Sequence, residues 1–155
     1  MIDKQKFVPP ELGAINVSAA KPQAMYADDH WMSQVWYEVP RGDSAIPEVH
    51  TYTDQMSYDP GEVVEFHSTA TASEWTLEIY RDGYEPEFVH RQEAIKGLST
   101  PSPRDAYAVG CGWPVSHRWR LPDDLRSGFY RVVSRCARAN GGKYLQHHFF
   151  VVRPT

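Results

Sequence analysis

The run EWTLEIYRDG, residues 74–83, constrains this chain more than any other stretch. It places Trp75, Leu77 and Ile79 at one set of alternate positions and Thr76, Glu78 and Tyr80 at the other, and Asp82-Gly83 ends it with a turn signal. A strand turns the first three side chains toward a core and the second three away from it; a helix would scatter them. Similar runs recur. PEVHTYT at 47–53 is one, followed by YDPG at 58–61, a turn whose proline presets φ. EVVEFHSTA at 62–70 sets Val64 and Phe66 on one face and Val63, Glu65 and His67 on the other. Further strands are predicted at 86–92, 116–121, 128–137 and 143–153, and the stretch 94–115 reads as a long loop rich in turn formers. Seven short strands, without a convincing amphipathic helix or an internal repeat, predict an all-β protein: an antiparallel β-sandwich of jelly-roll or Ig-like type.

With 155 residues the chain suffices for one domain of ordinary size. Residues 1–45 carry no sustained period and mix Pro9, Pro10, Pro22 and Pro40 with the cluster HWMSQVWYEVP. They are predicted to form an extended arm holding at most one short helix, with the sandwich domain occupying 46–155. Trp31, Trp36 and Tyr37 are too much ring surface to leave in water, so the arm is expected to lie on its own domain or on a partner.

The net charge of −4 hides an asymmetry. Residues 117–155 hold eight Lys/Arg against two acids, and residues 1–116 hold eight against eighteen. Such asymmetry can indicate an anionic partner, but in a sandwich the two portions lie side by side, and mutual neutralisation is the expected reading. The N-terminus has no apolar run of leader or membrane length after its first charges, which predicts a cytoplasmic location and no membrane contact. Cys111 and Cys136 are then expected to be reduced.

The adjacent pair His147-His148 suggests a metal site until it is set on the 143–153 strand. Successive side chains there point to opposite faces, so the two rings cannot both reach one ion without a bulge. Tyr144, Gln146, His148, Phe150 and Val152 share one face, and Leu145, His147, Phe149 and Val151 the other. Both faces are largely apolar, as in a central strand covered on both sides. Histidines from several strands (His50, His67, His90, His117 and one of the His147-His148 pair) are the remaining route to a metal. The sequence contains no H-E-x-x-H and no cupin-like spacing, and no metal is expected in this chain.

No nucleophile elbow, P-loop or dinucleotide fingerprint occurs. GCGWPVSH offers Cys111 between two glycines with His117 six residues on, a thiol and base in outline, but a small thiol in a tight turn beside Trp113 accounts for it equally. Arg131 and Arg135 share a strand face with Phe129 and Val133, an arrangement that can hold single-stranded nucleic acid. The overall negative charge argues against it, and no nucleic-acid partner is expected.

Several runs carry a family resemblance: TYTDQMSYDPGEVVEFHSTATASEWTLEIYRDG, WRLPDDLRSGFYRVVSRC and the closing HHFFVVRPT. In order and spacing they resemble the N-terminal β-sandwich region of the large subunit of N,N-dimethylformamidase, over about residues 46–155. In that family the resemblance implies an amide-hydrolysing iron held by tyrosine and glutamate in a larger domain that follows the sandwich. No residue here matches that centre, so no catalytic, cofactor or metal role is carried over, and any iron is expected in a partner chain. The chain is therefore read as a non-catalytic subunit or domain of a dimethylformamidase-like amide hydrolase, in a hetero-oligomer with a larger catalytic chain. Trp31, Trp36, Tyr37, Trp113 and Trp119 are the candidate docking residues. The alternative is a free-standing sandwich that binds carbohydrate or another ligand on exposed rings.

Overall fold

The computed structural model describes Pro40 and residues 42–154. The strands in chain order are β1 (Val49–Thr53), β2 (Ser57–Tyr58), β3 (Val63–Ala70), β4 (Glu74–Arg81), β5 (Glu87–Lys96), β6 (Val115–Arg120), β7 (Gly128–Ala137) and β8 (Lys143–Val152); a single helical turn, α1 (Ala106–Val109), lies between β5 and β6. They form a β-sandwich. One sheet has the order β1-β3-β6 and the other β2-β8-β7-β4-β5, and every pairing is antiparallel except that of β2 with β8.

The alternation read from sequence decides which side chains fill the space between the sheets. Val64 and Phe66 from β3 meet Trp75, Leu77 and Ile79 from β4, with Tyr130, Val132, Phe150 and Val152 completing the layer. Phe150 sits edge-on to Tyr58 and stacks on Tyr130, at centroid distances of 5.5 and 5.4 Å. Burying such a ring stabilises the fold by about 1.5–3 kcal/mol relative to leaving it in water.

β1 is an edge strand, and edge strands present backbone N–H groups with no ladder partner. Here side chains of the facing sheet supply partners. The Thr51 N–H donates to Gln146 Oε1 at 3.1 Å, the Thr53 N–H donates to His148 Nε2 at 3.1 Å, and the Thr51 and Ser134 hydroxyls bond at 2.8 Å. A polar strip thus joins the two sheets along β1.

Three features depart from the sequence reading. Ser57–Tyr58 is a short strand parallel to β8 that takes in Tyr58, the first residue of the predicted turn. β5 runs on to Lys96 past two register shifts against β4, with Ala94 at φ +53°, so the loop begins later than expected and contains α1. The second face of β8 is also less covered than predicted: Leu145 is buried but Phe149 and Val151 are exposed. Trp31, Trp36, Tyr37 and most of the predicted arm lie outside the described residues.

Candidate functional site

The outward surface of the five-stranded sheet follows from register. Phe129 pairs with Val151, Arg131 with Phe149, Val133 with His147 and Arg135 with Leu145, and all eight side chains point away from the core. On β4 and β5 the same surface carries Tyr80 opposite Phe88 and Glu78 opposite Arg91. At one end it is apolar and open. Phe129, Phe149 and Val151 are 40%, 38% and 37% exposed, and the two phenyl rings stack at 4.8 Å. Phe88, more exposed still, packs edge-on against Tyr80 at 5.7 Å, and the Arg131 guanidinium lies 5.5 Å from the Tyr80 ring centroid. Exposed rings of this size, each covering about 150–250 Å² when packed, form the kind of patch that marks an interaction surface.

The middle of the surface is held by Glu78. The sequence places it outward, as observed, yet it is only 4% exposed. Its Oε1 accepts from Arg91 Nη2 at 2.7 Å; its Oε2 accepts from Arg135 Nε at 2.7 Å and from the Tyr80 hydroxyl at 2.9 Å. Burial alone would raise its carboxyl, but the Tyr80 hydroxyl and the two guanidiniums outweigh that and hold it below the usual range. One carboxylate thereby fixes two arginines in place.

The histidines are distributed rather than gathered. His148 faces the core, and because its Nε2 accepts from a backbone N–H it must be neutral there; burial pushes its pKa down to about 4. His147 points to the opposite face, as alternation requires. His90 and His117 stack at 5.9 Å across the two sheets, with Trp119 on His90 at 4.6 Å and Phe66 on His117 at 5.9 Å. Burial lowers both their pKa values, and the proximity of His90 lowers that of His117 further. His50 touches the Tyr144 hydroxyl at 3.1 Å, and His67 Nδ1 the Trp113 carbonyl at 2.7 Å. Among the described residues no three His, Cys, Asp or Glu side chains come together as metal ligands.

The Cys111 loop has a conformational reason for its glycines: Gly110 and Gly112 adopt φ of +84° and +66°. His117, the base considered beside Cys111, stacks with His90 and Phe66; His67, Tyr52 and His50 reach this loop at Trp113. Cys111 and Cys136 are both free thiols, and burial pushes Cys136 up to about 11.

Of the candidate docking residues within the described chain, Trp113 is 7% exposed with its indole N–H donating to Ser102, and Trp119 is half-buried against the core. Sequence reading did not single out Phe88, Phe129, Phe149 and Val151, although β8 carried the signal, since both of its faces are apolar. Among the described residues no helix is long and apolar enough to cross a membrane.

A family model described as N,N-dimethylformamidase beta subunit-like, C-terminal, matches residues 76–155. This is the enzyme family the sequence resembles, but the match is to the beta subunit and its C-terminal part, where the resemblance suggested the N-terminal region of the large subunit. No curated protein matches the chain. Among solved structures, the sporulation control protein Spo0M of Bacillus subtilis is similar at 15% identity with a TM-score of 0.47, over 71% of this chain and 50% of that one. The chain thus spans half the length of Spo0M. The superoxide reductase neelaredoxin of Ignicoccus hospitalis is similar at 12% identity and a TM-score of 0.40, over 70% and 84% of the two chains.

Proposed function

Because the chain belongs to the N,N-dimethylformamidase beta subunit-like, C-terminal family, we infer that it is a non-catalytic β-sandwich component of an amide-hydrolysing assembly of that type. It docks on a larger catalytic chain, and any iron that cleaves the amide belongs to that chain. The observation that supports this reading is the open aromatic end of the outward sheet surface, where Phe129 and Phe149 stack on each other beside Val151. Rings at the centre of an interface contribute most of its energy, and the flanking Arg131 supplies a polar rim. The test is co-purification of the full-length chain from its own cells, with the bound protein identified and dimethylformamide hydrolysis assayed. A stoichiometric larger chain with amide-hydrolase activity is expected from the native sequence and should be lost in a Phe129→Ser, Phe149→Ser double variant. A monomer that purifies alone, without activity, contradicts the reading.

A further inference from the structure

Arg131 stands in the middle of a row of rings. Across the outward surface, register pairs Phe149 on β8 with Arg131 on β7, Arg131 with Tyr80 on β4, and Tyr80 with Phe88 on β5. The guanidinium lies over the Tyr80 ring at 5.5 Å, and that ring is itself fixed, its hydroxyl donating to Glu78 and its side packed against Phe88.

This cation lacks a counter-ion. β7 and β8 contain no acidic residue. Glu78 and Glu87, on the two strands that continue the sheet, are committed elsewhere: the Glu78 oxygens accept from Arg91, Arg135 and Tyr80, and Glu87 pairs with Arg126. Among the described residues Arg131 forms no ion pair, and its Nε is buried without a hydrogen-bond partner. A guanidinium stays charged throughout the range in which proteins fold, so on an open surface water must solvate the rest of it. Phe129 and Phe149 cannot be covered without covering Arg131, which shares their face and is the register partner of Phe149. A desolvated cation with no acceptor opposes association, so these rings admit a partner only if it brings an anion of its own.

We propose that Arg131 is the charged anchor of the aromatic surface and seats a carboxylate of the larger catalytic chain, an Asp or Glu side chain whose apolar neighbours cover Phe129 and Phe149. The planar fork of a guanidinium matches a carboxylate with two parallel hydrogen bonds, and the flanking rings favour a carboxylate carried on apolar groups over a hydrated inorganic anion. The proposal rests on the subunit reading for the source of the carboxylate, while the selectivity of the site belongs to the free chain.

Phenylacetate, a carboxylate carried on a ring, is the probe, and phenylacetamide is its neutral counterpart. In NMR titrations of the full-length chain, phenylacetate should move the Arg131 Nε–H and the Phe129 and Phe149 ring signals and bind about tenfold more tightly than phenylacetamide, the scale of a charge-assisted hydrogen bond. In Arg131→Gln the two probes should bind alike. Equal affinities for the native chain overturn the proposal. The source of the carboxylate is read in the co-purified complex. Arg131→Lys places an amine at this position, which a water-soluble carbodiimide should join to an Asp or Glu of the larger chain, and Arg131→Gln should weaken the complex at least about tenfold. A link only to a second copy of this chain, no link from that position, or an unchanged complex in Arg131→Gln overturns the proposal and leaves the subunit reading standing. If no larger chain co-purifies, the subunit reading fails, and the titration of the free chain still decides whether Arg131 selects a carboxylate. Arg131 lies outside the core cluster, so its substitution leaves the fold available for both measurements.

Discussion

On β8, Tyr144, Phe150 and Val152 turn inward and are buried, whereas Phe149 and Val151, each one position away from a buried neighbour, turn outward and remain more than a third exposed. β7 repeats the pattern with Tyr130 and Val132 inside and Phe129 outside. The same residue types at adjacent positions thus meet opposite surroundings, and the difference separates what the fold requires from what remains for a partner. Inward rings are held by contacts on all sides. Outward rings contribute little to the isolated chain, so their presence asks for another surface.

If that division is correct, Phe150→Ala should cost about 3–5 kcal/mol of stability while Phe149→Ala costs no more than about 1 kcal/mol, both read from urea unfolding of the full-length chain. Equal losses would break the comparison. Acid should act on the inward side. His148 has a folded pKa of about 4 against 6.5 unfolded, so above pH 6.5 both states are neutral and the group contributes no pH dependence. Below it the unfolded chain takes the proton first, and stability falls as pH drops from about 6.5 toward 4, by up to about 3 kcal/mol at about 1.4 kcal/mol per pKa unit. Buried His50 and the half-buried His90 and His117 shift in the same direction and add to the slope. In His148→Gln the acid-limb slope should be visibly shallower; an unchanged slope would mean that this ring does not couple the sheets. A smaller effect is expected at Glu78, which holds Arg91 and Arg135 on the outward side: Glu78→Gln should lose about 2 kcal/mol, below the usual cost of breaking a buried pair because Arg91 is half exposed.

Most of the strand plan was legible because period-2 alternation is a local signal. Val64, Phe66, Trp75, Leu77 and Ile79 all occupy the faces their spacing predicts. What escaped was set by distant contacts or by broken alternation. β2 has only two residues and exists because β8 runs alongside it. The end of β5 departs from alternation at the register shift near Ala94. Glu78 was read outward, but nothing local announced that Arg91 and Arg135 would enclose it. The site was legible in a weaker sense: both faces of β8 were visibly apolar, while which face is covered depends on the layers packed against it. Trp113 and Trp119 stood out as large rings, but the fold draws one into a loop contact with Ser102 and the other into the histidine stack.

The most direct test of the central claim compares native mass spectra of the full-length chain, co-expressed with the catalytic chain recovered by co-purification, for the native sequence and the Phe129→Ser, Phe149→Ser variant. The account predicts a stable heteromeric complex for the first, and free monomer of near-native unfolding free energy for the second. A complex that survives the double substitution unchanged would contradict it.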